Sequence, residues 1–230
     1  MDLTILMPCF NEQDSIKYAI LDAKRLIEKL DVNAEILIAD NGSTDDSKSI
    51  AKSMGCRVIN VRNKGYGNAL RAGIKAARGN YIIFADCDGS YKFSEFGVAY
   101  YRALTSGCNA VFGDRLSGKW DKDAQSFSHR FIGVPFLSFI GRLFYRCGIH
   151  DFHCGLMGFR SSFVKSLKLK ATGFEFSSEI IGKSCRNTKK YIQMPIILYP
   201  DRRDKVGSNL NSIRDGIRHL IMIIFDVSLN

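Results

Sequence analysis

Apolar residues follow two periodicities along the first half of the chain. Four short apolar runs are typical of buried strands, and they cover residues 3–7, 35–39, 57–61 and 81–85. Three stretches have apolar positions at helical spacing, and they cover residues 15–30, 45–54 and 68–77. Strands that alternate with helices of this length predict an α/β fold with a largely parallel sheet and helices on both faces.

The alternation is less regular after residue 108. The pattern there predicts strands at residues 110–113, 155–159 and 192–198 and a helix over residues 174–186. Nothing in the chain has the composition of a linker, a repeat or a low-complexity tract. With 230 residues, nearly half of them apolar, we expect a single domain over residues 1–230.

Polar side chains follow three of the predicted strands at the point where each strand ends. Asn11 and Glu12 follow the first strand, Asp40 ends the second, and Asp86 and Asp88 follow the fourth. In open sheets of this kind, ligands bind beyond the carboxyl ends of the strands. The sequence therefore predicts that these side chains converge on one ligand-binding edge. Capping of the first helix remains an equal alternative for Glu12.

The Asp86-Cys87-Asp88 triplet places two carboxylates directly after a buried strand. Two close carboxylates repel, and one is pushed toward protonation unless a cation neutralises the pair. Carboxylate oxygens suit Mg²⁺ or Mn²⁺, which keep some waters and bridge to a substrate diphosphate. A solvated turn explains an isolated triplet of this type better, but the carboxylate at the end of a neighbouring strand favours the metal site.

Charge and cysteine content narrow the class of protein. The net charge of +10 lies in the second part, because residues 127–230 carry 16 Lys and Arg against 7 Asp and Glu, whereas residues 1–126 carry 17 against 16. This asymmetry indicates an anionic partner: nucleic acid, a phosphate-bearing substrate or membrane headgroups. The seven scattered cysteines form no C-x-x-C pair, and no secretory signal opens the chain. We therefore expect a cytosolic protein.

Two amphipathic segments carry much of this basic character. Residues 127–148 combine Phe, Leu and Ile with arginines, and Pro135 is expected to divide them into two short helices. Residues 213–227 form an apolar stripe beside Arg214 and Arg218. Helices of this type lie in a membrane interface or pack as core or dimer helices, and both interpretations are open. Neither segment has the roughly 20 apolar residues needed to cross a bilayer.

Four ordered motifs resemble those of the family-two glycosyltransferases with the GT-A fold. They cover residues 8–12, 40–45, 65–69 and 86–90. Later motifs resemble the branch of that family that makes polyprenyl-phosphate or dolichyl-phosphate sugars, and they cover residues 151–155, 173–176 with Glu179, 203–210 and 214–216. Two positions depart from the family: Ser90 stands where some members have a glutamine metal ligand, and Asn209 stands where relatives commonly have lysine.

The resemblance implies roles for particular residues. Asp88 and Arg203 are the implied catalytic residues, and Asp86 and Asp88 the implied ligands of a Mg²⁺ or Mn²⁺ cofactor. The implied donor nucleotide-binding residues are Pro8, Asn11, Glu12, Asp40, Gly67, Asp86 and Cys87. The implied acceptor or phosphate-binding residues are Arg115, Arg130, Glu179, Arg202, Lys205 and Ser208.

The function implied by the resemblance is inverting transfer of a sugar from a UDP- or GDP-sugar to polyprenyl or dolichyl phosphate. Residues 1–108 would bind the nucleotide-sugar and residues 109–230 the acceptor, with the protein peripheral on the cytoplasmic face of a membrane. The alternative is a soluble enzyme that uses Asp114, Glu175 or Glu179 as a base toward a glycan or protein hydroxyl. A nucleic-acid binder is disfavoured, because carboxylates at several strand ends would repel the phosphate backbone.

Overall fold

The chain folds as an α/β domain around a seven-stranded sheet. The computed structural model describes residues 1–121, 133–202 and 212–228. In chain order the elements are β1 (Leu3–Cys9), α1 (Ile16–Leu30), β2 (Ala34–Asp40), α2 (Ser47–Ser53), β3 (Arg57–Asn60), α3 (Tyr66–Ala76), β4 (Tyr81–Phe84), α4 (Phe93–Thr105), β5 (Ala110–Trp120), α5 (Val134–Tyr145), β6 (Met157–Arg160), α6 (Ser161–Ser166), α7 (Phe176–Asn187), β7 (Tyr191–Leu198) and α8 (Ser212–Ser228).

The sheet has the strand order β3-β2-β1-β4-β6-β5-β7. All pairs are parallel except those of β6, which runs antiparallel to both β4 and β5. The predicted, mostly parallel α/β architecture is therefore confirmed. In register, Cys9 at the end of β1 lies beside Asp40 at the end of β2. The polar residues after β1, β2 and β4 accordingly meet at one edge of the sheet.

Two apolar clusters hold the sheet between helices. One packs α1 and α4 onto one face and includes Ile20, Leu26 and Tyr100. The other packs α3 and α7 onto the opposite face and includes Leu70 and Ile180. Because both faces of the central strands are covered, β1 is buried along its whole length. A rigid, buried strand of this kind fixes the position of the loop that follows it.

Two local predictions differ from the structure. Helix α4 was not predicted, although its buried positions Phe93, Gly97, Tyr100 and Leu104 recur at helical spacing. Strand β5 extends beyond the predicted end at residue 113, with a register shift after Asp114.

Pro135 lies in the first turn of α5, where its missing N–H group has no helical partner to lose. Residues 127–132 of that segment lie outside the described residues, so its division into two short helices stays a prediction.

Candidate active site

The loop after β4 holds Asp86 and Asp88 in fixed, half-buried positions. The backbone N–H and hydroxyl of Ser90 donate hydrogen bonds to Oδ1 of Asp88 at 2.9 and 2.6 Å. The N–H of Arg202 donates to the carbonyl of Asp88 at 2.9 Å. Gly89 makes this tight loop possible, because its φ of 83° is strained for a residue with a side chain. The segment after β7 thus supports the loop that carries the two carboxylates.

Asp86 contacts two elements from other parts of the sequence. The hydroxyl of Tyr66, at the start of α3, lies close enough to the carboxylate of Asp86 to interact with it electrostatically. Burial and the negative charge of Asp86 raise the pKa of Tyr66 well above its ordinary value, so the hydroxyl stays protonated. On the other side, a side chain at Gly155 would lie 2.9 Å from Oδ2 of Asp86. Gly155 therefore leaves room for this carboxylate, and its N–H donates to the Tyr91 hydroxyl at 2.9 Å.

Asp40 is fully buried at the end of β2 and shapes the loop that follows. Its carboxylate accepts the N–H groups of Gly42 and Ser43 at 3.1 and 3.2 Å, and Nζ of Lys48 lies 3.4 Å away. These contacts form a turn of the type that Asp side chains commonly build. Direct contact between Asp40 and a nucleotide stays a prediction.

Asn11 joins the loops after β1 and β2. It adopts a left-handed conformation with φ of 56°, and its side-chain oxygen accepts the N–H of Thr44 at 2.8 Å. Glu12 is buried and accepts the hydroxyl of Ser15 at 2.9 Å, but among the described residues no side chain caps the first turn of α1. Contact between Glu12 and a nucleotide stays a prediction. Exposed Asn11 and Thr44 thus face solvent beside the carboxylate loop.

Three of the predicted nucleotide-binding residues have packing roles. The Cys87 thiol points inward and donates to the carbonyl of Pro8 at 3.0 Å. Gly67 is buried, and a side chain there would meet the carbonyl of Ala171 at 2.5 Å. Gly67 is therefore required for close packing of α3 on a neighbouring segment. Its contact with the donor stays a prediction. Pro8 lies within β1, also buried.

Two of the predicted acceptor residues are engaged inside the protein. Arg115 is buried and makes a two-pronged ion pair with Asp151, with Nε–Oδ2 and Nη2–Oδ1 distances of 2.7 and 2.9 Å. Glu179 is buried and accepts the N–H groups of Lys170 and Ala171 at 2.7 and 2.8 Å. Both side chains have partners inside the protein, and their contact with an acceptor phosphate stays a prediction. The i, i+4 pairing of Glu179 with Lys183, at 2.7 Å, is present.

The remaining predicted residues follow β7 in the chain, except Arg130, whose position falls between β5 and α5. Arg202 is exposed, and its guanidinium lies 5.0 Å from the centre of the Tyr18 ring. Arg130, Arg203, Lys205 and Ser208 lie outside the described residues. Among residues 1–121, 133–202 and 212–228, no group of three or more His, Cys, Asp or Glu side chains could hold a metal. A cation between Asp86 and Asp88 would take its other ligands from water or a diphosphate.

Sequence reasoning named Asp114 as a possible base but missed its pairing with His150, beside the register shift within β5. Nδ1 of His150 lies 3.1 Å from Oδ2 of buried Asp114, and the His150 side chain is about half exposed. Asp114 also accepts the N–H groups of Leu116 and Ser117 at 3.0 Å. The sequence signal was weak, because the two partners are 36 positions apart and neither belongs to a recognisable motif.

His219 is a buried contact between α8 and α7. Its Nδ1 lies 2.8 Å from the Ser178 hydroxyl of α7. Burial lowers the pKa of His219 from 6.5 to about 4, against the opposing charges of Glu175 and Asp215 and with a small addition from Arg218. At neutral pH this imidazole is therefore uncharged.

We expect acid to weaken the attachment of α8. Because the folded-state pKa lies below the ordinary value, the unfolded chain binds the proton first, and stability falls as the pH drops from 6.5 toward 4. The loss should reach at most about 3 kcal/mol. Urea unfolding at several pH values, with His219→Asn as the non-titrating control, measures it. An unfolding free-energy difference between the two proteins that does not change with pH would contradict the assignment.

Comparison with known proteins identifies the class. The chain belongs to glycosyl transferase family 2, whose sequence profile matches residues 4–168. Its fold is similar to that of glucosyl-3-phosphoglycerate synthase from Mycobacterium tuberculosis in complex with Mn²⁺, uridine diphosphate and phosphoglyceric acid, with a TM-score of 0.75 and 20% identity over 98% of this chain and 78% of that one. The GT-A fold predicted from the motifs is confirmed.

Two curated relatives come from Haloferax volcanii. A low-salt glycan biosynthesis hexosyltransferase is 30% identical over 218 residues, which cover 95% of this chain and 52% of the relative. A dolichyl-phosphate hexose transferase is 33% identical over 116 residues, which cover 50% of this chain and 49% of the relative. The match to this chain therefore spans about half the length of each of these relatives. The name of the second relative agrees with the branch of the family predicted from the later motifs.

Proposed function

We propose that this protein transfers a sugar from a nucleotide-sugar to the phosphate of a polyprenyl or dolichyl lipid, with inversion at the anomeric carbon. The observation that carries the proposal is the pair of carboxylates, Asp86 and Asp88, each held by specific neighbours at the carboxyl edge of the sheet. Two such carboxylates suit a hard divalent cation and a diphosphate. The solved neighbour with Mn²⁺ and uridine diphosphate supports this chemistry.

Residues of the chain keep the two carboxylates oriented toward the position that the cation would occupy. Bound Mg²⁺ or Mn²⁺ would neutralise charge on the leaving diphosphate. Ser90 and Tyr66 keep the two carboxylates in place, so that little reorganisation accompanies the reaction. An acceptor phosphate oxygen is already anionic and attacks the anomeric carbon from the face opposite the diphosphate. This attack requires no strong general base.

A second candidate is transfer to a hydroxyl acceptor, which does require a base. Glu175 and Glu179 are both occupied by backbone N–H groups and cations of the protein, which argues against them. The Asp114–His150 pair favours this candidate, because an exposed imidazole held by a buried carboxylate is a common proton acceptor. The dolichyl-phosphate hexose transferase relative favours the lipid phosphate.

Helices α5 and α8 support the lipid acceptor, because both expose apolar stripes. Phe136, Phe139 and Leu143 share one face of α5, and Ile217, Ile221 and Ile224 share one face of α8; these six side chains are between 36 and 61% exposed. The stripes lie in the basic part of the chain, as in helices that rest on anionic membranes. No described helix is long and apolar enough to cross a bilayer. We propose that this face contacts the membrane surface that holds the acceptor.

Removing part of the α5 stripe should weaken membrane binding. We expect the double variant Phe139→Ser/Leu143→Ser to bind vesicles of phosphatidylcholine and phosphatidylglycerol at least roughly tenfold more weakly, because each lost side chain contributes about 1 kcal/mol or more when buried. Co-sedimentation measures the change. The matched control is Leu21→Ser/Leu116→Ser, which removes two exposed apolar side chains elsewhere. Equal binding by both double variants would show that α5 does not face the lipid.

A donor panel tests the proposed reaction. Release of nucleoside diphosphate is followed for UDP- and GDP-sugars with Mg²⁺ or Mn²⁺, with no acceptor, with polyprenyl phosphate and with 3-phosphoglycerate. The proposal predicts release that requires both the metal and the lipid phosphate. Release stimulated by 3-phosphoglycerate, but not by the lipid, would favour the second candidate.

A further inference from the structure

Helix α8 has two distinct faces. Ile217 and Ile221 point outward on the proposed lipid-facing side. On the other side, the guanidinium of Arg218 forms a two-pronged ion pair with the carboxylate of Glu175, with Nη2–Oε1 and Nε–Oε2 distances of 2.7 and 3.0 Å. Parallel two-pronged contacts of this kind fix both side chains more firmly than a single ion pair does. Arg218 therefore attaches α8 to the N-terminus of α7.

Glu175 also organises the loop that precedes it. Its Oε1 accepts the N–H groups of Thr172 and Gly173 at 3.1 and 2.9 Å, and Nη2 of Arg218 reaches the Thr172 hydroxyl at 3.1 Å. Burial alone would raise the pKa of Glu175, but Arg218 and the backbone N–H groups outweigh it and lower that pKa. The carboxylate therefore remains charged at neutral pH and holds the loop of residues 171–174 against α8.

The loop of residues 171–174 packs directly on the start of α3. The N–H of Asn68 donates to the carbonyl of Thr172 at 3.3 Å, and a side chain at Gly65 would clash with that carbonyl. The ring of Phe174 stacks on the ring of Tyr66, with centroids 4.9 Å apart and planes inclined by 26°. Tyr66 thus connects this loop to Asp86, with whose carboxylate its hydroxyl interacts electrostatically.

We propose that Arg218 is a positioning residue for the metal site: through Glu175 and the loop of residues 171–174 it keeps Tyr66 in the orientation that holds Asp86. The lipid-facing helix thereby contributes to donor binding, although it supplies no ligand to the donor. The inference rests on the proposed metal-assisted binding of a nucleoside diphosphate. The contacts from Arg218 to Asp86 are continuous, so each link can be removed separately.

Calorimetric titration of the full chain with UDP and GDP, in the presence and absence of Mn²⁺, tests whether Arg218 affects the metal site. Arg218→Ala is expected to weaken Mn²⁺-dependent binding roughly fivefold to tenfold, while metal-free binding stays the same. Arg218→Lys should recover part of the loss, because it restores the charge without the two-pronged contact. Tyr66→Phe should cause a similar loss, and the double variant with Arg218→Ala should lose no more than either single variant.

Arg57→Ala is the matched control. Arg57 makes the same kind of two-pronged pair with Glu35, at 2.8 and 3.1 Å, but near the amino end of β2 at the opposite edge of the sheet. It should leave Mn²⁺-dependent binding unchanged. Equal affinities for Arg218→Ala, Arg57→Ala and wild type, or losses that add in the double variant, would overturn the inference alone. A wild-type protein that binds neither nucleotide with Mn²⁺ would overturn the proposed function and this inference with it.

Discussion

Replacing Asp88 with asparagine should lower metal-dependent release of nucleoside diphosphate by roughly a hundredfold to a thousandfold, the usual loss when one preorganised electrostatic group is removed. Asparagine retains an oxygen that can accept the two hydrogen bonds from Ser90, so the loop after β4 should keep its shape. The change therefore removes a negative charge and leaves the geometry in place. Initial rates at saturating donor and Mn²⁺ measure the effect.

Glu28→Gln is the matched control for the loss of one carboxylate charge. Glu28 lies on the exposed side of α1, away from the loop after β4. Its replacement should leave the rate within about twofold of wild type, in line with the small effects of ordinary surface substitutions. An Asp88→Asn protein that remains folded and releases nucleoside diphosphate at the wild-type rate would show that this carboxylate is not part of the donor site.

Asp151→Asn should destabilise the protein by about 3 kcal/mol, because it leaves the Arg115 cation buried without a full counter-charge. Asp151 is fully buried and accepts the N–H of Arg115 at 3.1 Å and that of His153 at 2.9 Å, in addition to the guanidinium. For a chain of this size, the expected decrease in Tm is roughly 10 °C. Differential scanning calorimetry and urea unfolding provide the two values.

The double variant Asp151→Asn/Arg115→Met distinguishes two causes of the lower stability, which are the unpaired charge of Arg115 and the loss of packing. It removes the cation as well, so it should be more stable than Asp151→Asn alone. If the double variant were the less stable of the two, the unpaired charge would not be the cause of the loss. A single variant as stable as wild type would contradict the buried ion pair itself.

Periodicity and strand-end residues predicted the sheet and its carboxyl edge. Strand β1 and helix α1 match their predicted ranges within two residues, because a buried strand and a one-sided helix each leave a strong pattern. Pro135 lies in the first turn of α5, a position that suits proline, but the sequence alone does not say where that helix begins.

Individual site residues were harder to predict than the site itself. Arg115 and Glu179 carry the charges expected of ligand-binding residues, yet each is neutralised inside the protein by partners that only the fold brings close. Tyr66 shows the reverse: its position between two glycines gave no sign of a contact with Asp86. Tertiary contacts between distant segments decide which charged side chains remain open to a ligand.

The most direct test of the account is identification of the product. The full chain is incubated with the donor selected by the panel, Mn²⁺ and vesicles that contain polyprenyl phosphate, and the extracted lipids are analysed by mass spectrometry. The account predicts a polyprenyl phosphate that carries one added sugar, formed by wild type and nearly absent with Asp88→Asn. A lipid fraction without added sugar, while the donor is consumed and the sugar is recovered in a water-soluble product, would contradict it.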